Sequence, residues 1–417
     1  MLAQAKWTGQ AGSLSCAQRS LNWTQNREDA VEFELAEDHR QIKDLVRKFV
    51  TDQLLPLESA VLAREANGEG CRLTAAERAP IDARARELGL WGLDAPETVG
   101  GSDLPQVAMI GVKEEIGRTI TPYVLAPDSP NLRMLAACVN DDQKHRYLEP
   151  YVRGETISAI GISEPGAGAD PAAMATRAVK QGDDYIINGT KIWITRAAEA
   201  DFTILMAVTD PIKGARGGIS AFLLDRDTPG FQIRRRIPMI GGQYTYEISL
   251  DDVRLNKAQL LGQEGQGFAP MQLRLSTRRL EMAAWSIGMA QRALEMMCDF
   301  APTRTTFGAP LSQRQTVQWW AADAFTKIHA ARLMTYDAAW KIDQGQDARR
   351  EISMIKVFAT EMATEVIDNA MQCFGAMGMT KELPLHLMAS QLRTMRIYDG
   401  PSEVHRMVIA RTLMETR

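Results

Sequence analysis

The hydrophobic periodicity of this chain changes twice, and that change limits its possible folds more than any single motif. From about Glu34 to Gly154 apolar residues recur at helical spacing: Ile42, Leu45, Val46, Phe49 and Val50 form one stripe, and Ala75 to Leu88 and Val107 to Ile116 continue in the same way. Pro56, ANGEG at 66–70 and VGGSD at 99–103 break the pattern into separate helices. Between about Thr156 and Leu261 the runs become short and β-like. FTILMAV, ISAFLLD, FQIRRR and YEISLDDVRL read as strands, and DYIINGTKIWIT at 184–195 reads as two strands hinged on Asn188-Gly189. Strands at this spacing predict a compact β-barrel or sandwich. After Gly267 long helical patterns return. Val317, Trp320, Ala324, Ile328, Ala331 and Met334 form one stripe, Ile352, Ile355, Phe358, Met362, Val366, Ala370 and Phe374 another. The polar DQGQDARRE between them predicts an antiparallel pair within a helical bundle. The expected organisation is an N-terminal extension (1–33), an all-α domain (34–155), a middle β-barrel domain (156–265) and a C-terminal α-helical bundle (266–417).

With 417 residues, 45% hydrophobic and 24% charged, the chain is long enough for two or three well-developed cores. A net charge of −4, with only Arg234, Arg235 and Arg236 as a basic run, argues against a nucleic-acid partner. Five cysteines, odd in number and far apart, predict a reducing compartment. Five histidines, none at ligand spacing, predict no protein-held metal, so any hard chemistry belongs to an organic cofactor. No apolar run approaches the ~20 residues that span a bilayer, and no signal peptide is evident, which predicts a cytoplasmic protein. Residues 1–27 hold Lys6, Arg19 and Arg27 and no acid before Glu28, so a mitochondrial transit peptide is the alternative.

Five segments carry possible chemistry. GISEPGAGADP (161–171) sets Gly166 and Gly168 among small residues after a strand, where backbone N–H groups can approach a pyrophosphate or a ring; a plain turn between strands is the competing reading. KIWIT (191–195) puts Trp193 and Thr195 on one strand face and Ile194 on the other, suited either to a flat heteroaromatic or to core packing. RTTFGAPLSQRQ (304–315) supplies an Arg able to meet phosphate, and QCFGAMGM (372–379) two glycines at a helix end. In RIYDGPSEVHR (396–406), Asp399 either caps the helix that follows or serves as a base held at a turn.

Together, in this order and on this α-β-α frame, the five segments resemble the acyl-CoA dehydrogenase family from about residue 35 to the end. APDSPN (126–131), EISMIKV (351–357) and DGPSEVH resemble the subgroup of family members 10 and 11. The resemblance implies a C-terminal four-helix bundle and FAD bound between it and the β domain. Ile162, Ser163, Gly168 and Ala169 would lie along the flavin, and Trp193, Ile194 and Thr195 would cover one ring face. Arg304, Phe307, Gln315, Gln372 and Gly375 match positions that meet the FAD of a neighbouring subunit, which implies a homodimer or homotetramer. Ser402 and Glu403 match the cofactor-binding turn; Arg279, Gly400 and Ala169 match substrate-side positions.

In that family a carboxylate takes a proton from the acyl Cα while hydride leaves Cβ for the flavin, giving a trans-2-enoyl-CoA and passing electrons to an electron-transfer flavoprotein. Asp399 stands at the base position, where medium-chain relatives carry Glu. Asp reaches roughly 1.5 Å less far. Ala169 replaces a frequent Ser and Pro401 the usual Thr, so those hydroxyl contacts do not carry over. A nitroalkane-oxidase-type enzyme with an Asp base and a non-catalytic DNA-binding flavoprotein are the alternatives on the same fold.

Overall fold

The structure is a computed structural model and describes residues 36–414. The extension expected at 1–33 lies outside the described residues. Helices α1 (Glu37–Phe49), α2 (Glu58–Ala66), α3 (Ala75–Glu87), α4 (Gln106–Ile116) and α5 (Ser129–Cys138), with the short α6 (Asp141–Gln143) and α7 (Glu149–Arg153), fill the first segment. Val46 and Phe49 of α1, with Val50 directly after it, bury their stripe in one core with Ile81, Ala85, Met109 and Val112. The Thr74–Glu77 capping box starts α3 by satisfying two backbone donors reciprocally.

The second segment is one eight-stranded sheet. Its strands are β1 (Ser158–Gly161), β2 (Arg177–Gln181), β3 (Asp184–Ile194), β4 (Phe202–Val208), β5 (Ile219–Asp225), β6 (Phe231–Pro238), β7 (Tyr244–Asn256) and β8 (Leu260–Leu261). Their order is β6-β7-β3-β2-β4-β5-β8, with β1 parallel to β4. The hinge expected at Asn188-Gly189 is corrected: β3 runs through it as one strand paired to β7, with a bulge at that point. The Asn188 side chain is engaged across the sheet, donating to Asp252 Oδ1 (2.9 Å) and accepting from the Asp252 N–H (2.8 Å). A Cβ at Gly189 would come within 2.4 Å of the Thr176 hydroxyl, so the glycine serves close approach rather than a turn.

The third segment contains α8 (Phe268–Phe300), a small hairpin of β9 (Thr305–Thr306) and β10 (Ala309–Pro310), α9 (Gln315–Asp343), α10 (Arg349–Phe374), α11 (Leu385–Met395) and α12 (Ser402–Met414). The ion pairs Lys341–Glu351 and Lys327–Glu365 run in opposite senses along α9 and α10, which makes that pair antiparallel as expected. Phe358 keeps the spacing of its stripe but is exposed.

Two carboxylates, the buried Glu58 and the exposed Asp343, fasten the first helices to the third segment. Glu58 on α2 accepts from both terminal nitrogens of Arg292 on α8 (2.6 Å each), from the Thr119 hydroxyl (2.7 Å) and from the Ile120 N–H (2.9 Å). Asp343, at the end of α9, accepts the N–H groups of Gln106 and Val107 at the start of α4 (2.7 and 2.9 Å), capping orphan donors with a negative charge. Removing one member of a buried ion pair strands the other. Glu58→Ala is therefore expected to destabilise the protein by about 3–5 kcal/mol. A denaturation midpoint equal to that of the parent protein would contradict this.

Candidate functional site

Between α11 and α12 the chain makes the turn that carries Asp399. Asp399 and Gly400 both lie at positive φ, 53° and 99°. The Asp399 carbonyl accepts from Arg279 Nε (2.8 Å) and His405 Nε2 (3.3 Å), and the Gly400 carbonyl accepts from Lys356 Nζ (2.5 Å). A Cβ at Gly400 would sit 2.8 Å from His405 Nε2, so a side chain there would displace the imidazole. A carbonyl only accepts, so His405 donates through Nε2 and its Nδ1 faces the Ser353 hydroxyl at 3.2 Å. The Pro401 carbonyl receives the N–H groups of Val404 and His405 that open α12.

The Asp399 carboxylate turns toward α8. Its Oδ1 accepts from Arg274 Nη1 on α8 at 2.9 Å, with both side chains largely buried. Arg274 Nε meets Asn131 Oδ1 (3.3 Å), and Asn131 Nδ2 donates to Ser158 at the start of β1 (3.0 Å). A turn further along α8, Arg278 joins Asp128 (2.5 Å) and Glu281 (2.8 Å), while Lys113 meets Glu281 (2.7 Å) and Ser129 (3.1 Å). Burial would raise the Asp128 pKa, but the Arg278 guanidinium overrides it and holds the carboxyl below its usual range. Burial pushes Lys356 down to about 8. Beside this cluster lies a small cavity of about 10 Å³ whose lining mixes Asp94, Gln106, Lys113, Ser129, Thr277 and Glu281 with Met109, Ile110 and Leu280; Gln106 Nε2 is buried without a hydrogen-bond partner.

The exit of β1 leads to the glycine-rich segment. The Ile162 carbonyl accepts from Lys191 Nζ (3.1 Å), the Ser163 carbonyl from the Ile192 N–H (2.9 Å), and Glu164 pairs with the fully buried Lys191 (2.8 Å). These bonds fix the loop to β3 just before Trp193. Trp193 is half exposed at φ 65°, and Thr195 is exposed on the same face. The Ile194 side chain is buried with Ala159, Ala197 and Ile248, so only its backbone is available on that face. Gly166 and Gly168 have open space where a Cβ would stand, and Ala169 is exposed. An open small-residue loop beside an exposed indole fits a flat ring with an attached phosphate chain.

The chain Asp399–Arg274–Asn131–Ser158 thus joins the turn to the strand that leads into Ile162 and Ser163. The remaining expected residues lie elsewhere. Phe307 is wholly exposed at φ 49° in the β9–β10 hairpin, with Arg304 and Gln315 exposed beside it. Phe300 stacks on Phe374 with centroids 4.2 Å apart, bringing that hairpin to the end of α10, where Gln372 and Gly375 are exposed. Gln372 follows Lys356 by sixteen residues of α10, roughly 24 Å, so one chain does not gather both sets around one point. Ser402 is buried and Glu403 is exposed on α12. Sequence reasoning did not single out Arg274, Asp128, Asn131, Lys356 or His405 for function. Four of these were within view: APDSPN holds Asp128 and Asn131, EISMIKV holds Lys356 and DGPSEVH holds His405.

The acyl-CoA dehydrogenase N-terminal, middle and C-terminal domains match residues 36–155, 159–253 and 265–414. The chain is 39% identical to the (R)-benzylsuccinyl-CoA dehydrogenase of Thauera aromatica over 92% of its own length and 97% of that protein's. It is 34% identical to the 3-(aryl)acrylate reductase of Clostridium sporogenes over 91% of this chain and 99% of that one. The solved structure of PigA with FAD and proline superposes with a TM-score of 0.82 at 29% identity, covering 92% of this chain and 99% of that one. The protein is an oxidoreductase of the acyl-CoA dehydrogenase type. It belongs to the acyl-CoA dehydrogenase family, in the three-segment fold expected of it. Among the described residues no helix is long and apolar enough to cross a membrane.

His405 supplies a test of the turn. Burial, reinforced by the charges of Arg279 and Lys356, lowers its pKa to about 3. The unfolded chain takes up this proton below about 6.5, so between these values the unfolded state binds more protons and stability falls as pH falls. His405→Gln keeps a donor but does not titrate. Its stability loss between pH 6.5 and 4 is expected to be shallower than the parent's by urea denaturation; parallel curves would show that His405 is not buried neutral.

Proposed function

We propose that this protein is an FAD-dependent acyl-CoA dehydrogenase that uses Asp399 to remove the Cα proton of an acyl-CoA thioester. The observation that carries this reading is the Asp399 carboxylate, held at a fixed turn by Arg279, His405 and Lys356 and linked through Arg274 to the strand before Ile162 and Ser163. An Asp at this position is also the feature shared with the member 10 and 11 subgroup. FAD, held by Ile162, Ser163, Gly168, Ala169, Trp193, Thr195 and the backbone of Ile194, would supply the acceptor for the Cβ hydride. Glu403, the nearest other acid in sequence, is exposed and less suited as the base.

The exposed Phe307, Trp319 and Phe325 support a homodimer or homotetramer in which Arg304, Gln315, Gln372 and Gly375 serve the neighbouring subunit's FAD. An electron-transfer flavoprotein is the proposed electron acceptor. The free Cys71, Cys138, Cys298 and Cys373 support a cytoplasmic location.

Anaerobic addition of acyl-CoAs to the FAD-loaded protein is expected to bleach the flavin. Asp399→Asn is expected to keep FAD and slow that bleaching by at least ~10³-fold. Near-parental bleaching would move the base elsewhere, and bleaching only by nitroalkanes would replace the activity.

A further inference from the structure

The geometry points to a substrate with a second carboxylate, bound by Arg274: the CoA monothioester of a short dicarboxylic acid. This inference rests on the dehydrogenase reading above and narrows it to a substrate class.

Arg274 is nine-tenths buried and shows two directed contacts, Nε to Asn131 and Nη1 to Asp399. Among the described residues none accepts from Nη2. A guanidinium oriented through Nε presents its two terminal nitrogens as a fork that matches a carboxylate. Here one tine is on the base and the other is open. The neighbouring cations are differently provided for. Arg278 has Asp128 and Glu281, and Lys113 has Glu281 and Ser129. Arg279 and Lys356 are spent on main-chain carbonyls. Among the described residues Asp399 is thus the only carboxylate in contact with Arg274.

The chemistry of the reaction removes that partner. The Cα proton would pass to the Asp399 carboxylate and the Cβ hydrogen would leave with its electron pair, for which FAD would supply the two-electron acceptor, leaving a Cα–Cβ double bond in the acyl chain. Asp399 is then a neutral acid. With an uncharged acyl chain, Arg274 would be left as a buried, unpaired cation, an arrangement proteins avoid. A carboxylate on the acyl chain would take the Arg274 fork, free Asp399 to act and remain as the counter-ion after proton transfer.

The geometry also limits chain length. The base oxygen must lie within ~3 Å of the Cα proton, and Arg274 Nη1 is 2.9 Å from that carboxylate. The second carboxylate therefore lies two or three bonds from Cα, as in succinyl- and glutaryl-type thioesters, including substituted ones.

The test is flavin bleaching by the FAD-loaded protein under anaerobic conditions. Succinyl-CoA, a 2-substituted succinyl-CoA and glutaryl-CoA are compared with butyryl-CoA, valeryl-CoA and the methyl esters of the diacids. At least one dicarboxylic thioester is expected to bleach at least ~100-fold more efficiently than its neutral counterpart. Arg274→Gln is expected to lose that preference while retaining FAD, and Arg274→Lys to regain part of it. Equal or better bleaching by the neutral thioesters overturns the inference and leaves the dehydrogenase reading standing. Failure of every thioester overturns that reading instead. Should Arg274→Gln not fold, the parental protein's preference across the paired thioesters decides alone.

Discussion

The site depends on two peptide carbonyls held where the chain would not rest unaided. Asp399 occupies the left-handed region at φ 53°, which costs a non-glycine residue roughly 1–2 kcal/mol. Arg279 from α8, Lys356 from α10 and His405 from α12 converge on this carbonyl and the next. Two of these donors are cationic, and a hydrogen bond from a charged group is worth about 1.5–3 kcal/mol, enough to offset the strain. Three helices far apart in sequence thus set where the carboxylate starts. The turn supplies the residue; the bundle supplies its place.

Helix α8 is the element through which the first and third segments act together. At 33 residues it is about 50 Å long, and Arg274, Arg278, Arg279, Glu281 and Arg292 lie along it. Through them it reaches Asp399, Asp128, Lys113 and Glu58. Buried ion pairs add little net stability once desolvation is counted. What they impose here is register: sliding α8 by one residue would turn every one of these side chains by about 100°. The cost of a mispaired buried charge then selects one arrangement of the helices around the turn.

Much of the architecture was legible because period and burial agree. The stripes of α1, α9 and α10 appear in the sequence at the spacing the structure uses. The exceptions have local causes. Asn188-Gly189 has hairpin composition, yet the adjoining β7 is long enough to hold both halves of β3, and Asp252 takes the Asn188 side chain. Sequence also marked Asp399, Arg279 and Gly400, which do meet. It was silent on Arg274 as a partner, because an Arg five residues before another on one helix reads as a solvated face. Only the crossing of α5, α8 and the turn, more than a hundred residues apart in sequence, reveals Arg274 as buried. Phe358 failed in the opposite sense: it keeps the period of its stripe and is exposed.

The same geometry bears on why the carboxylate belongs to Asp. A shorter side chain has fewer torsions to fix, and Asp399 has its direction set once Arg274 engages Oδ1. Oδ2 takes no part in that contact. A Glu on the same main chain would carry its carboxylate about one bond further and add a freely rotating torsion. To meet Arg274 at 2.9 Å it would have to fold back, or the turn would have to withdraw. Withdrawal is opposed by the three donors on carbonyls 399 and 400. The short side chain, the left-handed turn and the buried guanidinium are therefore one constraint: changing any of them shifts where the carboxylate sits.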